Sequence, residues 1–376
     1  MRLYFLLVLL IISFSVKSQV SNIDSIYGNI KRVREKVFDI SNKENPRQIE
    51  IDEYSDSMIL IPNSLNLTIY DISFSGSNSS YENYERFYNE NGKIAKHIWY
   101  VKKDAFYKST SYKYDEKNRV TIEIDSFDNS VYRKKHYYED FDNYTNENII
   151  SLNFESNYFY HTIKQYRDNQ VIRTKLIDEY GNITEFINNY NQNGKLKFTS
   201  IKTPETWRKN ENGGWSHGVH DTIPTVYKNS EYEYDEKNKI IKKLEYGYSK
   251  KNNYEKPILL HQLLYHYNKN KTTVKTIYES GNSSSKIYIY DKEKRIIEYH
   301  CCSENINNSK LIRKYNYEND KIVSMDYIDY LSDPGKKKEY KITFSYKFDG
   351  KNNWIEMVKI VNGKEKSKRT REIEYY

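Results

Sequence analysis

Apolar and polar residues alternate along most of the chain, with the two-residue period of β-strands. Val120, Ile122 and Ile124 fall on one side of such a segment, while Thr121 and Glu123 fall on the other. The 3.6-residue period of a helix is nowhere sustained. This pattern predicts an all-β protein built from short strands.

The predicted strands come in pairs that share one local motif. An aromatic-x-aromatic pair ends one strand, a polar turn follows, and an aliphatic or basic residue begins the next strand. The anchoring tyrosines recur about every 23–28 residues, which is the length of one hairpin and its turns. The first of them are Tyr88, Tyr114, Tyr138, Tyr166 and Tyr190. A lone hairpin is marginally stable in water, so we expect the copies to stack side by side.

The turn sequences resemble a known repeat family. YDEKNR (114–119), YDEKNK (234–239) and YDKEKR (290–295) are similar to the YD, or Rhs, repeat, and looser copies run from about residue 81 to 376. The chain also looks similar in composition to short secreted proteins of Bacteroidota. The resemblance implies a long antiparallel β-strip; large members form shells around a toxin, and some repeats are described as carbohydrate-binding. We therefore expect an elongated antiparallel sheet of tandem hairpins that is able to coil.

The pattern divides the chain into five segments. Residues 1–18 are predicted to be a signal peptide, and residues 19–80 an N-terminal β cap region that protects the first edge of the sheet. Hairpin repeats are expected over residues 81–202 and 230–376. Between them, residues 203–229 break the period and predict a loop insertion, because prolines, a glycine pair and asparagines cluster there.

The N-terminal segment has the layout of a secretory signal peptide. Arg2 precedes an apolar run over residues 3–12, and Val16 and Ser18 occupy the positions that signal peptidase recognises. The run is shorter than the roughly 20 apolar residues of a membrane span. We expect cleavage after Ser18 and a mature protein without a transmembrane segment, either secreted, periplasmic or at the cell surface.

Composition narrows the class of protein. The chain contains 40 tyrosines but only 37% hydrophobic residues, which suits the half-buried face of a thin sheet better than a thick aliphatic core. The net charge is +8, yet acidic and basic residues interleave, and only residues 364–371 and 336–338 form basic clusters. We therefore expect no nucleic-acid partner. Cys301 and Cys302 are adjacent, which leaves a vicinal disulfide and two free thiols as the intramolecular options.

The 203–229 segment is the main candidate site, because long loops in compact repeats are often functional. It contains Trp207, Trp215, His217, His220 and Asp221. The tryptophans could stack on sugar rings, or instead pin the loop to the sheet. The two histidines and the aspartate could ligate Zn²⁺ or Cu²⁺, but no third ligand is fixed by spacing. The interpretation is a ligand-binding loop without a metal; the alternative is a set of ordinary solvated residues.

A second cluster is weaker. Glu298, His300 and Cys302 share one face of a predicted strand, with Cys301 on the other face, which permits a metal or redox site or simply an ordinary strand. The sequence contains no G-x-S-x-G motif, phosphate loop or dinucleotide fingerprint. No cofactor is expected.

Two functional hypotheses follow. The preferred one is an exported, non-enzymatic β-repeat protein that acts as a binding or scaffold module at the cell envelope, with carbohydrate binding as a candidate activity. Its partner would be an envelope polysaccharide or an envelope protein. The alternative is a glycan-active hydrolase whose site lies in the 203–229 loop.

Overall fold

The structure is a computed structural model of the 376-residue chain. It describes residues 26–40, 42–44, 46–48, 83–100, 104–127, 130–153, 158–219, 223–249, 256–303, 310–319, 321–330 and 337–376. The predicted signal peptide, and most of the predicted cap region, lie outside these residues. Within them, no helix has the length and apolar character that crossing a membrane requires.

Strands make up most of the described residues. Before the insertion they are β1 (Ile30–Asp39), β2 (Arg47–Gln48), β3 (Tyr84–Tyr88), β4 (Ile94–Tyr100), β5 (Phe106–Tyr114), β6 (Val120–Phe127), β7 (Ser130–Asp140), β8 (Thr145–Asn153), β9 (Tyr158–Arg167), β10 (Gln170–Ile177), β11 (Ile183–Tyr190) and β12 (Leu196–Thr203). Two short strands of the insertion, β13 (Glu205–Lys209) and β14 (Trp215–Val219), form a separate hairpin.

The remaining strands continue the pattern to the end of the chain. They are β15 (Thr225–Tyr234), β16 (Ile240–Gly247), β17 (Ile258–Asn268), β18 (Lys271–Tyr278), β19 (Ser283–Tyr290), β20 (Ile296–Ser303), β21 (Lys310–Glu318), β22 (Lys321–Asp329), β23 (Lys338–Phe348), β24 (Trp354–Val361) and β25 (Lys364–Tyr375).

These strands close into an antiparallel barrel of 22 strands, formed by β1, β3 to β12 and β15 to β25. Successive strands pair with each other, and β1 completes the circle by pairing with both β25 and β3. The all-β prediction is confirmed, but the predicted elongated or coiled sheet is wrong. Turn signals specify each hairpin locally. They do not reveal that Glu35 lies beside Arg369, 334 positions further along the chain.

One turn frame recurs at six turns of one end of the barrel and at two turns of the opposite end. In these described turns, the Oδ1 atom of an asparagine or aspartate accepts a hydrogen bond from the backbone N–H four residues later, at 2.8–2.9 Å. The accepting residues are Asn89, Asp115, Asn191, Asp235, Asp291 and Asp349 at the first end, and Asp178 and Asn210 at the opposite end. The fourth residue of the frame takes a positive φ, as in Gly92 (71°) and Asn118 (58°). Glycine and asparagine adopt this left-handed conformation most readily.

A ladder of tyrosine hydroxyls ties neighbouring hairpins together. Each hydroxyl donates a hydrogen bond to a backbone carbonyl near the start of the second strand of the preceding hairpin. The pairs, at 2.7–2.9 Å, are Tyr114 with Ile94, Tyr138 with Val120, Tyr190 with Val171, Tyr234 with Leu196, Tyr267 with Ile240, Tyr317 with Ile296, and Tyr346 with Ile322. The recurring tyrosine is therefore a structural element of the repeat.

Alternate residues face the inside of the barrel. Along β23, Ile342 and Phe344 are buried, whereas Lys341 and Ser345 are exposed. Inward residues of β19 to β24 form one apolar cluster, made of Tyr288, Ile296, Tyr315, Ile322, Met325, Ile342, Phe344, Trp354 and Met357. Burial of such side chains stabilises the wall by roughly 1.5–3 kcal/mol each, so this part of the barrel supplies much of its hydrophobic stability.

Charged side chains stabilise the contact of β1 with β25 and β3, where the barrel closes. The Glu35 carboxylate, 1% exposed, accepts hydrogen bonds from Arg369 and Arg371 at 2.7 Å and from the Tyr84 hydroxyl at 2.9 Å. Burial disfavours ionisation, but the two guanidinium groups outweigh it and lower the pKa of Glu35. Removing one partner would leave a buried charge unpaired, which typically costs about 3–5 kcal/mol.

Candidate functional site

The end of the barrel that carries six of these turns has three clefts lined by described residues, and we call this end the turn rim. It is formed by residues 89–93, 115–119, 141–144, 168–169, 191–195, 235–239, 269–270, 291–295 and 349–353. The β13–β14 hairpin lies at the opposite rim, because it follows the far end of β12. Loops on a rigid sheet are common positions for binding residues.

The first cleft, called the acidic cleft, has a volume of about 870 Å³ and lies between the β5–β6, β7–β8 and β9–β10 turns. Its charged lining residues are Lys117, Arg119, Arg167, Asp140, Asp142, Glu147 and Asp168. Four carboxylates therefore face three basic groups. At its edge, the Phe141 and Tyr144 rings stack with centroids 4.5 Å apart, and Phe141 is 49% exposed.

Glu147 is the centre of the hydrogen bonds in the acidic cleft. Its carboxylate accepts from the hydroxyls of Tyr166 at 2.6 Å and Tyr138 at 3.0 Å, and lies 2.8 Å from His136 Nδ1. Burial opposes ionisation, but the hydrogen bonds from His136, Tyr166 and Tyr138 outweigh it and lower the pKa of Glu147 to about 2. The carboxylate is thus fixed as an anion and an acceptor.

Two basic groups of the acidic cleft, Lys117 and Arg119, are neutralised by neighbouring aspartates. The Arg119 guanidinium contacts Asp115 at 2.8 Å and Asp140 at 2.8 Å, and lies over the Tyr138 ring at 4.1 Å. Lys117 contacts Asp140 at 2.6 Å. Hydrogen bonds from Lys117, and then from Thr145 and Arg119, lower the pKa of Asp140 to about 2. On the side of the cleft formed by the β5–β6 and β7–β8 turns, these charges are therefore paired.

The second cleft adjoins the first and is called the amide cleft. It has a volume of about 710 Å³ and shares Arg167 and Asp168 with the acidic cleft. Its side-chain amides come from Gln165, Gln170, Asn188, Asn189, Asn191 and Gln192. Each amide offers both a donor and an acceptor. The amide cleft can therefore pair with a neutral polar ligand without a counter-charge.

The third cleft, called the lysine cleft, has a volume of about 730 Å³ and lies between the β15–β16, β17–β18 and β19–β20 turns. Its charged lining residues are Lys237, Lys239, Lys269, Lys271, Lys294, Asp235 and Glu236. Five lysines thus face two carboxylates. The rings of Tyr267 and Tyr290 complete the lining.

The structure brings only part of the predicted 203–229 site together. Trp207 pairs with His217, and Lys209 pairs with Trp215, across the β13–β14 hairpin. The exposed His217 ring has its Nε2 atom 3.9 Å from Glu205 Oε2. His220 and Asp221 lie outside the described residues. The described part is a hairpin at the opposite rim, away from the three clefts.

The second predicted cluster is partly assembled. His300 Nε2 lies 3.1 Å from Glu298 Oε2, on the same face of β20, whereas Cys301 is buried and disulfide-bonded. In the described part of the chain, no group of three or more histidine, cysteine, aspartate or glutamate residues is arranged to hold a metal ion.

Only part of the predicted basic tail faces outward. Arg369 and Arg371, within the predicted cluster 364–371, point inward and bind Glu35. Sequence reasoning instead missed the lysine cleft, since its lysines are dispersed over residues 237–294 and meet only when three turns align. The available signal was that lysines fall inside or next to successive turns of the repeat.

Comparisons with known proteins give faint likenesses. The sequence matches no protein-family model and no curated protein. Two porin-like proteins are among the similar structures: one from Bacteroides uniformis (TM-score 0.24, 9% identity, covering 93% of this chain and 100% of that chain) and one from Bacteroides vulgatus (0.21, 10%, 71% and 92%). A third is TcdB2-TccC3 without its hypervariable C-terminal region (0.27, 11%, 86% and 20%). At these TM-scores and sequence identities, the similarities establish neither the fold nor the function of this chain.

Proposed function

We propose that the protein is an exported, non-enzymatic binding protein of the cell envelope that holds a polysaccharide along its turn rim. The observation that carries this proposal is the row of clefts on one rim, of which two adjoin at Arg167 and Asp168. A row of shallow clefts suits an extended polymer better than a single small molecule, for which one concave pocket is the usual site.

The side chains of the adjoining clefts suit sugars. The side-chain amides of Asn189 and Gln192 form no hydrogen bond with other described residues, so they are available to sugar hydroxyl groups. The exposed Phe141 ring, stacked on Tyr144, offers an apolar face to one side of a pyranose. These two features supply the hydrogen bonds and the stacking surface that neutral sugars need.

The charges of the acidic cleft support a binding role. A glycosidase requires a carboxylic acid that stays protonated near neutral pH, so its pKa must be raised. In the acidic cleft the pKa values of Glu147 and Asp140 are both lowered to about 2. Ionised carboxylates accept hydrogen bonds, which suits a binding role better than the proton-donor role of a glycosidase.

The outer face of the barrel supports a location in water within the envelope. Lys135, Asp326 and Lys368 lie on outward positions midway along β7, β22 and β25. On the same face, Glu356 contacts Lys347 and Lys368 at 2.7 Å. A lysine facing lipid at the bilayer midplane costs about 2–4 kcal/mol. We infer that the wall faces water and that the predicted leader, residues 1–18, directs export.

Binding to a glycan array and titration calorimetry in detergent-free buffer test the proposal. We expect the purified protein to bind at least one polysaccharide, and the double variant Asn189→Ala/Gln192→Ala to bind it at least fivefold more weakly. The matched control is Gln262→Ala, which removes an amide on β17, away from the amide cleft. A folded protein that binds no glycan but releases sugar from one would contradict the proposal.

A further inference from the structure

The lysine cleft concentrates positive charge that the protein itself does not neutralise. Among the described residues, no carboxylate forms an ion pair with Lys237, Lys269, Lys271 or Lys294. Lys239 lies over the Tyr267 ring, with its Nζ atom 4.9 Å from the centroid. Asp235 uses its Oδ1 atom to accept the backbone N–H groups of Lys237 and Lys239. The cleft therefore offers several free ammonium groups at one position.

Backbone conformation gives an independent observation. Ten non-glycine residues in the described part of the chain have a positive φ, and eight of them are aspartate or asparagine. The two exceptions are Lys269 (φ 38°) and Lys294 (φ 68°), and both line the lysine cleft. The left-handed region costs a lysine roughly 1 kcal/mol. Strained residues concentrate at functional sites, so lysine at these two turn positions, where glycine, asparagine or aspartate is usual, points to a ligand.

We propose that the lysine cleft binds the acidic groups of a polysaccharide, namely carboxylate, sulfate or phosphate substituents. This rests on the proposed function only in taking the polymer to be a glycan. Ammonium groups act as compact point charges, and lysine donates hydrogen bonds without needing the planar geometry of a bidentate ligand. Repeated acidic groups along one polymer would satisfy several lysines at once.

The aromatic groups of the lysine cleft argue against a nucleic acid. Single-stranded nucleic acids are held by open aromatic faces on which bases stack. One face of the Tyr267 ring is covered by Lys239, and its hydroxyl is engaged with the Ile240 carbonyl at 2.9 Å. Five lysines and two tyrosines line the cleft, and this excess of charge over aromatic faces fits an acidic sugar better than a base.

Titration of the purified protein with dextran sulfate and with neutral dextran, at several salt concentrations, tests the proposal. The informative variant is Lys269→Asn/Lys294→Asn, since asparagine tolerates the same φ and the fold should gain rather than lose stability. We expect binding of dextran sulfate to weaken at least tenfold at low salt, with a shallower salt dependence. The matched control, Lys93→Asn/Lys195→Asn, removes equal charge from exposed positions of the same rim and should change binding less than twofold.

The outcomes separate this inference from the proposed function. Equal weakening in both double variants would show general charge attraction and overturn the proposal, as would unchanged binding in Lys269→Asn/Lys294→Asn. Tighter binding of a single-stranded DNA oligonucleotide of equal charge would overturn it as well. If dextran sulfate binding depends on the two lysines while Asn189→Ala/Gln192→Ala leaves neutral glycan binding unchanged, the lysine cleft binds acidic groups and the amide cleft does not bind the glycan.

Discussion

The acidic cleft and the lysine cleft are built on turns that are almost the same in sequence. YDEKNR (114–119) and YDEKNK (234–239) differ only at the last residue. In both, Oδ1 of the aspartate accepts the N–H of that last residue at 2.8 Å, and the next tyrosine of the ladder donates to the following strand. The backbone frame is common to the two clefts.

The acidic cleft and the lysine cleft differ in charge. Arg119 forms ion pairs with Asp115 and Asp140, whereas Lys239 has no ion pair among the described residues. Two residues after the ladder tyrosine, the acidic cleft has Asp140 and the lysine cleft has Lys269. The repeat thus fixes the geometry through its aspartate and tyrosine, and leaves neighbouring positions free to change the ligand chemistry.

The largest expected difference in stability between variants of the two clefts is at Glu147. The pKa of its carboxyl falls from an ordinary 4.5 to about 2, so the stabilisation is fully present above pH 4.5 and is lost as the pH falls toward 2. We expect Glu147→Gln to lower the free energy of unfolding by about 2–3 kcal/mol at pH 7, with the difference vanishing near pH 2. Urea denaturation over this pH range measures it.

The matched control is Glu233→Gln on the strand that leads to the lysine cleft. Glu233 is about half exposed and contacts Lys242 at 2.7 Å. We expect a loss of less than about 1 kcal/mol, as for other surface ion pairs. An equal loss in the two variants would show that Glu147 is not the distinguishing feature of the acidic cleft.

The ladder tyrosine of the acidic cleft should contribute more to stability than the ladder tyrosine of the lysine cleft. The Tyr138 hydroxyl lies 2.9 Å from the Val120 carbonyl and 3.0 Å from Glu147, whereas the Tyr267 hydroxyl donates only to the Ile240 carbonyl. We expect Tyr138→Phe to cost about 1.5–3 kcal/mol, because a charged acceptor loses a donor, and Tyr267→Phe about 0.5–1.5 kcal/mol. Thermal unfolding of the two variants would contradict this if Tyr267→Phe were the more damaging.

A reciprocal exchange tests the strained lysine. Lys294 and Asn118 occupy the same left-handed position of the turn frame, at φ 68° and 58°. We expect Lys294→Asn to raise, and Asn118→Lys to lower, the free energy of unfolding by about 0.5–1 kcal/mol. Chemical denaturation measures both changes. If Lys294→Asn destabilised the protein, the strain at this lysine would be absent.

The smallest effect on stability is expected for a double variant that changes the charge of the lysine cleft. Lys239→Arg with Lys269→Asp gives the lysine cleft the two residues that distinguish the acidic cleft. We expect the free energy of unfolding to change by less than about 1 kcal/mol, because these positions are exposed. Dextran sulfate binding should nevertheless fall at least tenfold; retention of full affinity would place the anion site elsewhere.

The sequence allowed the hairpins to be predicted but not their closure. Alternation at Val120, Ile122 and Ile124 lies within a real strand, and Asp115 and Asp235 close turns as their type suggests. Closure depends on β1, where Glu35 pairs with Arg371 of the last strand. The local sequence does not predict that contact. Acidic and basic residues alternate throughout the chain, so Glu35 and Arg371 resemble charged residues that face solvent.

The candidate site was harder to predict for a related reason. Trp207 and His217 drew attention because they break the repeat, yet they pair in a hairpin at the opposite rim. The clefts are instead lined by residues that lie within the regular repeat, such as Glu147 and Lys269. The role of these residues depends on which turns become neighbours in the barrel. A repeat shows which positions align, but register and curvature decide what they enclose.

Hydrogen–deuterium exchange of the purified protein, with and without dextran sulfate, is the most direct test of the central claim that one turn frame carries two chemistries. We expect slower exchange at residues 235–239, 269–271 and 291–295, and little change at residues 115–119 and 141–144. Equal protection at both sets of turns, or protection only at the acidic cleft, would contradict it.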